Sequence, residues 1–374
     1  MMTTAGSPPE NAPVSADFEK SPVLPDLAPL AAWFAENKRD LPFRHTKDPY
    51  AIWVSEVMLQ QTRVETVIPY YNRFLSVLPD ISALAAAPEA LLLKLWEGLG
   101  YYSRVRNMQK AAVEITRQYG GVFPQTFPEI RGLCGIGDYT AGAIASIAFD
   151  LPYPAVDGNV LRVTARLCDY RKDCLSPLGK KELTAAVAAH ERMNLVDNHI
   201  KEHPGDFNQS LIELGALICL PGTALRCDRC PLVDRCLGKS VGSAPDLPVR
   251  KKQKEKKVRY RGVFLLRIGD RTVLRRRPGK GLLSGLYEPF CTEEIPHDPA
   301  AFLAGIGLSP LRVAPLGKAR HIFTHLIWEM EGYEAELPES DENRLPKDCF
   351  LVPRAEIDRH YALPSAFDAY RPFF

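Results

Sequence analysis

The residues of this 374-residue chain whose types and spacing suggest chemistry include a glycine-rich turn and a carboxylate that follows it. Gly135 and Gly137 precede a run of small residues, with Tyr139 at its start. Glycines at this spacing let the backbone turn with positive φ, and the amino end of the following helix would bind an anion there. The chain then returns to Asp157. A phosphate-binding turn beside an acid suggests chemistry on nucleic acid, although Gly-x-Gly alone more often marks only a turn.

A second carboxylate, Glu56, lies in a segment that predicts a buried helix from Tyr50 to about Tyr70. Seven of the nine residues from Ala51 to Leu59 are apolar. Burial would disfavour the charged carboxylate and raise its pKa toward the range of a general acid. A structural glutamate that pairs with an arginine is an equally good interpretation of this residue alone.

The segment from Gly98 to Asn107 combines glycines with two tyrosines and two arginines. We expect a tight loop in which a ring such as Tyr101 stacks on bases while Arg104 and Arg106 bind phosphates. Packing of one tyrosine in the protein core is the alternative.

Four of the nine cysteines lie close together in the sequence, at Cys219, Cys227, Cys230 and Cys236. An odd total and this bunching argue against a disulfide framework and predict a metal centre. Four thiolates at these spacings could bind zinc or an iron–sulfur cluster. We favour the cluster, because zinc sites usually come as two separated Cys-x-x-Cys pairs.

The composition, 46% apolar and 25% charged, is that of a globular protein of two or three domains. The formal charge of +2 means that residues binding nucleic acid must be gathered locally, and eight Lys or Arg stand between Arg250 and Arg261. The sequence contains no apolar run long enough to predict a membrane span, and no secretory signal is evident. The sequence therefore predicts a cytoplasmic protein.

Changes in patterning along the chain predict its organisation. Residues 1–22 are rich in Pro, Ser and Ala and predict a disordered tail. Helical periodicity follows over 23–237, and 238–257 predict a basic linker. Period-two alternation over 258–374, with a turn at Gly269-Asp270 and a closing helix near Ala355 to Tyr361, predicts a separate α+β domain.

Residues 25 to about 370 resemble the adenine DNA glycosylases of the MutY family, within the helix-hairpin-helix base-excision glycosylases. The matching stretches are Arg39–Arg44, Trp53–Thr62, Trp96–Asn107, Leu133–Ala141, Pro154–Val160, Glu213–Cys219 and the cysteine run. The resemblance implies a multidomain fold. An all-α helix-hairpin-helix glycosylase domain of two lobes, with an iron–sulfur cluster subdomain at 219–236, would precede an α+β Nudix-like domain.

The resemblance also implies excision of adenine mispaired with 8-oxoguanine or guanine in double-stranded DNA. We expect a monofunctional, monomeric enzyme, associated with the nucleoid through DNA. Breaking an N-glycosidic bond needs an acid on the leaving base and a negative charge near the sugar cation. The resemblance assigns these roles to Glu56 and Asp157, respectively, with Tyr139 and Asn159 in support.

The remaining roles implied by the resemblance concern binding. The residues are Gln61 and Tyr101 for entry into the base stack, Arg39 and Glu213 for the adenine pocket, Phe323, Thr324 and His325 for 8-oxoguanine, Gly135 and Gly137 for phosphate, and Cys219, Cys227, Cys230 and Cys236 for a 4Fe-4S cluster.

The sequence departs from the family pattern at a few positions. Seven residues separate Cys219 from Cys227, where six are usual, which leaves the cluster assignment open. Tyr287 stands where Trp is common, and Thr324 where Ser is often found. Because Thr keeps the hydroxyl, we expect lesion recognition to survive.

Three other functions fit the sequence less well. A bifunctional glycosylase and lyase of the endonuclease III type, acting on oxidised pyrimidines, needs an amine nucleophile, and that family has Lys in the position of Tyr139. A Nudix pyrophosphohydrolase needs an R-E-x-x-E-E box, which Cys291 to Gly307 lack. An inactive lesion-binding protein is disfavoured, because both Glu56 and Asp157 are present.

Overall fold

A computed structural model of the protein describes residues 22–196, 203–250 and 255–374. Nearly all of the tail predicted over residues 1–22, and residues 251–254 of the basic run, lie outside the described residues. The chain divides into two compact units, Met1–Asp40 with Asp138–Lys251 and Leu41–Gly137 with Lys252–Phe374. The domain bounds expected from the sequence stay predictions.

Helices make up most of the chain before residue 250. The fourteen helices of the described residues are α1 (Ala28–Asn37), α2 (Pro49–Leu59), α3 (Val64–Val77), α4 (Ile81–Ala86), α5 (Glu89–Leu95), α6 (Ser103–Gln118), α7 (Phe127–Gly132), α8 (Asp138–Phe149), α9 (Gly158–Leu167), α10 (Pro177–Val196), α11 (Pro204–Leu217), α12 (Leu237–Ser240), α13 (Pro299–Gly305) and α14 (Arg354–His360). The last of these is the closing helix that the sequence predicted.

In the first unit, α8, α9 and α11 pack around small residues and one buried amide. A Cβ on Gly142 of α8 would collide with the carbonyl oxygen of Pro154, so the return from α8 to α9 needs glycine there. The side chain of Asn208 on α11 accepts from Ala155 N (2.9 Å) and donates to Ser146 Oγ (3.0 Å). The return loop that leads to Asp157 is therefore held from both sides.

In the second unit, α2 is buried almost all round, as its apolar composition predicted. Every residue from Tyr50 to Met58 is buried. Asp48 caps the helix by accepting from Tyr50 N at 3.0 Å, and Pro49 suits its first turn. The prediction that one helix runs on to Tyr70 is wrong, because Gln61 has a left-handed φ of 61° and ends it.

The C-terminal part of the second unit is built on one six-stranded sheet. The strands are β1 (Lys257–Ile268), β2 (Arg271–Arg276), β3 (Tyr287–Cys291), β4 (Arg312–Ile322), β5 (Leu326–Glu336) and β6 (Cys349–Pro353). Their order is β4-β5-β1-β3-β2-β6, with β1 and β5 parallel and the other pairs antiparallel. The predicted hairpin at Gly269 joins β1 to β2.

Both faces of the central strand β1 are covered, which explains its unbroken run of buried residues. Phe264 and Leu266 belong to one apolar cluster, and Val263 belongs to another that contains Trp328. The helix-rich part followed by this sheet-containing part is the predicted fold class. No helix within the described ranges is long and apolar enough to cross a membrane.

The segment predicted as a linker is partly structured. Gly238 lies in α12 and closely approaches the backbone of Arg166, whose Nε donates to Leu247 O at 2.9 Å. At its other end, the strand β1 already begins at Lys257. Hydrogen bonds to α9 thus give order to a stretch that lacks any apolar period.

Candidate functional site

Glu56 is a buried carboxyl residue of α2. It is only 8% exposed, and its neighbours Ser55 and Val57 are also buried. Ser55 satisfies its own hydroxyl by donating to Ile52 O at 2.8 Å. Glu56 is therefore largely withdrawn from solvent, as the apolar composition of this helix predicted.

Asp157 is the N-cap of α9, and both of its carboxylate oxygens accept hydrogen bonds. Oδ1 accepts from the backbone N–H groups of Asn159 and Val160, each at 2.8 Å, and Oδ2 accepts from Asn159 Nδ2 at 2.9 Å. Burial raises the pKa of Asp157, and these hydrogen bonds together with the charge of Arg162 oppose the rise. The carboxylate is therefore half-buried and fixed in orientation.

Sequence reasoning missed Arg162, which supports Asn159 from one turn further along α9. Its Nη2 donates to Asn159 Oδ1 and to Gly215 O, both at 2.9 Å, and its Nε donates to Cys219 O at 2.8 Å. Arg162 is 5% exposed. An arginine three residues after Asn159, in a helix with a strongly apolar face, was the available signal.

Arg39 and Glu213, expected to share one pocket, form an ion pair in which the Arg39 side chain is 30% exposed. Glu213 on α11 is wholly buried and accepts from Arg39 at three nitrogens. The distances are 2.9 Å from the backbone N, 2.9 Å from Nε and 2.7 Å from Nη2. A two-pronged guanidinium–carboxylate pair of this kind fixes both side chains in one plane.

The two glycines of the predicted anion-binding turn differ. Gly135 has a φ of 79°, and a Cβ there would lie 2.6 Å from Asn107 Cβ, so glycine is required. Gly137 does not have a positive φ, which corrects the expectation for this residue, and its Cβ position is open. Both glycines are exposed, and Tyr139 is half-buried in the first turn of α8.

The residues expected to contact the base stack and the lesion meet at one cavity of the second unit. It has a volume of about 520 Å³. Gln61, Tyr101 and the segment His321–His325, here called the 321–325 loop, all line it, together with Gly281–Ser284. Tyr101 Oη and Thr324 Oγ1 are hydrogen-bonded to each other. The structure thus joins residues that lie more than 200 positions apart.

Aromatic and basic side chains hold the 321–325 loop in place. Phe323 contacts Trp328 edge to face, with ring centroids 4.8 Å apart, and its carbonyl accepts from Lys256 Nζ at 2.8 Å. Arg261 lies 4.1 Å from the Trp328 ring centroid and is 5% exposed. Lys256 and Arg261, two of the eight basic residues between Arg250 and Arg261, therefore support this loop, and phosphate binding by the run stays a prediction.

Arg104 and Arg106 also differ from their predicted role as phosphate ligands. The guanidinium of Arg104 bonds backbone carbonyls of α2 and of the loop before α6. Arg106 pairs with Glu89 at 2.7 Å and donates to Ser284 O at 2.7 Å. Both guanidinium groups are engaged by the protein itself.

The four bunched cysteines line one cavity of the first unit. Burial raises the pKa of the Cys230 thiol to about 12, with the neighbouring cysteines adding to the effect, so free thiolates are costly there. Arg166 Nη1 lies 3.3 Å from Cys219 Sγ. Among the described residues, no three His, Cys, Asp or Glu side chains converge on one ion site.

Comparison with protein families finds two matches. Residues 54–187 match the HhH-GPD superfamily of base excision DNA repair proteins, and residues 262–371 match the NUDIX domain.

Individual relatives are similar over both parts of the chain. Adenine DNA glycosylase of Mus musculus is 33% identical, across 85% of this chain and 72% of its own length. Adenine DNA glycosylase of Rattus norvegicus is also 33% identical, across 82% of this chain and 70% of its own length. A solved thermostable thymine-DNA glycosylase, 24% identical, matches 57% of this chain and 94% of its own with a TM-score of 0.50, a likeness of fold.

Proposed function

The chain belongs to the adenine DNA glycosylases, and from this premise we propose that it excises adenine paired with 8-oxoguanine or guanine in double-stranded DNA. It is a DNA N-glycosylase of base-excision repair, so the bond that breaks joins adenine to deoxyribose. The cavity shared by Gln61, Tyr101 and the 321–325 loop is the observation that supports these mispairs as substrates. It combines a ring able to enter a base stack with polar groups able to contact the opposite base.

In this proposal the two carboxylates have opposite protonation states. Glu56, buried on α2, carries the proton that the leaving adenine takes up as the glycosidic bond lengthens. Asp157 stays ionised and stabilises the positive charge that develops on the sugar. The hydrogen bonds from Asn159 and Val160 keep its carboxylate in one orientation throughout. Tyr139, in the first turn of α8, is assigned the supporting role that the family resemblance implies.

Adenine must leave the duplex before it can react. We assign the pocket that receives it to Arg39 and Glu213, whose ion pair offers both donors and acceptors to a purine edge. Gln61 and Tyr101 enter the stack, and Gly135 and Gly137 bind backbone phosphate through exposed N–H groups. Phe323, Thr324 and His325 contact 8-oxoguanine.

Monofunctional glycosylase chemistry follows from the residue at position 139. A lyase of the endonuclease III type needs an amine that forms an imine with the sugar, and the phenol of Tyr139 cannot do so. Water is then the nucleophile, and the product is an intact strand with an abasic site.

We further propose that Cys219, Cys227, Cys230 and Cys236 hold a 4Fe-4S cluster. When bound, the cluster supplies a structural cross-link and four metal ions that neutralise the thiolates. Cys219 and Cys227 line the same cavity although seven residues separate them, which supports this assignment. The monomeric state and the nucleoid location stay predictions.

A single-turnover assay on three duplexes tests the function. The duplexes carry adenine opposite 8-oxoguanine, adenine opposite guanine, and thymine glycol opposite adenine. We expect adenine loss from the first two, faster from the first, with strand cleavage only after alkali. Cleavage at thymine glycol without alkali would instead indicate the endonuclease III type of activity.

A further inference from the structure

Arg104, at the start of α6, bonds backbone carbonyls from two segments that are distant in the chain. Nη1 donates to the C-terminal end of α2, and Nη2 donates to the loop between α5 and α6. The acceptors are the carbonyl oxygens of Val57 (2.6 Å), Met58 (3.2 Å), Gln60 (2.7 Å), Leu99 (2.9 Å) and Gly100 (3.1 Å). A planar guanidinium presents several donors in fixed directions, which a lysine ammonium does not.

Two of these carbonyls lead directly into strained residues. Gln61 has a φ of 61° and Tyr101 a φ of 47°, a region that residues with a side chain adopt rarely and at a cost in free energy. The carbonyl of one residue and the N–H of the next share a planar peptide. A hydrogen bond that fixes the carbonyl of Gln60 or Gly100 therefore restrains the following φ.

Gln61 and Tyr101 are exposed, although the backbone at both residues is restrained. Both line the cavity of the 321–325 loop, and Tyr101 is 49% exposed. The Arg104 guanidinium lies 5.7 Å from the centre of that ring, and Thr324 bonds its hydroxyl. Burial lowers the pKa of Arg104 to about 10, so it stays charged at neutral pH and its hydrogen bonds are charge-assisted.

We propose that Arg104 is a positioning residue that holds Gln61 and Tyr101, before DNA binds, in the strained backbone conformation from which they enter the base stack. This inference rests on the proposed function of the protein. Arg104 itself contacts neither the adenine nor the opposite base. It acts by removing the ordering cost that two independent loops would otherwise incur when the adenine is displaced.

Arg104→Lys tests the proposal, because it keeps the charge and loses the planar set of donors. The single-turnover rate on adenine opposite 8-oxoguanine should fall about tenfold or more, since small misplacements of positioning groups cost up to about 100-fold. The fluorescence rise of 2-aminopurine placed beside the adenine, which reports unstacking, should be smaller and slower. Arg117→Lys, on an exposed residue of the same helix, is the matched control and should match wild type.

The decisive measurement repeats Arg104→Lys in a protein that already carries Gln61→Ala and Tyr101→Ala. If Arg104 acts through these residues, the substitution should there slow excision by no more than about twofold, because interacting residues are not additive. A purely structural arginine would cost the same factor in both backgrounds, and that result would overturn the inference. A wild-type rate for Arg104→Lys would overturn it as well.

Gly100→Ala provides a second test of the proposal if the Arg104→Lys protein fails to fold. Gly100 has a φ of 69°, and no atom lies within 4 Å of an added Cβ, so alanine strains the backbone without a collision. Its cost in rate should also disappear in the Gln61→Ala and Tyr101→Ala background, and persistence of that cost would reject the inference. If the wild-type protein does not excise adenine, the proposed function fails and not the role of Arg104.

Discussion

A neutral amide in place of the carboxyl group should impair both Glu56 and Asp157, but for different reasons. Glu56→Gln keeps the shape of the side chain but cannot deliver a proton, so the single-turnover rate of adenine excision should fall at least about 100-fold. Asp157→Asn should cost as much by removing the charge, while α9 survives because Asn is as good an N-cap as Asp. Duplex affinity should stay near wild type in both variants.

The matched control is Glu65→Gln, which changes an exposed carboxylate in the first turn of α3. Its rate should equal that of wild type. Near-normal excision by folded Glu56→Gln protein would remove Glu56 from the role of acid, and Glu213 would be the next carboxylate to test.

The acid side of the pH profile should depend on Asn159. Burial raises the pKa of Asp157 above its usual value, and the ionised form is needed, so the rate should fall as the pH drops through that raised pKa. Asn159→Ala removes the donor to Oδ2. The pKa of Asp157 should then rise further, and the acid limb of single-turnover rate against pH should move to higher pH.

Asn72→Ala, at an exposed position of α3, controls for loss of an amide. Its profile should overlie that of wild type. The effect on stability has the opposite sign to that on activity: a carboxyl with a raised folded-state pKa contributes stability below its unfolded pKa and loses it as the pH rises through the folded value. An acid limb unmoved by Asn159→Ala would mean that another group controls it.

At the scale of elements, the 321–325 loop should depend on one hydroxyl. Thr324→Val keeps the branched shape but removes the partner of Tyr101 Oη, whereas Thr324→Ser keeps the hydroxyl. The preference for 8-oxoguanine over guanine, measured as a ratio of single-turnover rates, should fall about 3-fold to 10-fold in Thr324→Val, which corresponds to the free energy of a typical hydrogen bond. Thr324→Ser should stay within about twofold of wild type by the same reasoning. Equal slowing of adenine excision from both mispairs would instead show that this hydroxyl has only a structural role.

The supports of this loop explain why a strongly basic segment need not be a DNA-binding surface. Lys256 donates to Phe323 O, and Arg261 stacks on Trp328. Lys257 is exposed beside them. Charge alone does not distinguish these neighbours, because a side chain at this point of β1 turns either toward the loop or toward solvent.

At the scale of the whole molecule, the cysteine cavity should couple metal content to stability. Protein purified without air should be yellow-brown and contain about four irons per chain, as the proposed cluster requires. Removing the iron should lower the melting temperature, because burial makes uncompensated thiolates in this cavity costly. Stoichiometric zinc without iron would contradict the cluster assignment.

The features that the sequence determined by itself are those set by neighbours along the chain. Seven apolar residues around Glu56 were enough to predict a buried helix, and the alternation around Gly269 predicted the β1–β2 hairpin. The four cysteines that are bunched in the sequence line one cavity, and the metal that they hold stays a prediction. In each case the period or spacing of nearby residues carries the information, since local backbone geometry decides which side chains share a face.

Only the tertiary structure decided how the arginines and lysines are used. The acceptors of Arg104 on α2 lie 44 to 47 positions earlier, and Tyr101 meets Thr324 across 223 positions. The helix break at Gln61 also escaped prediction, because a left-handed φ at glutamine has no local signal and persists through long-range hydrogen bonds. Long flexible cationic side chains select their partners from whatever the fold brings within reach, so sequence spacing cannot specify them.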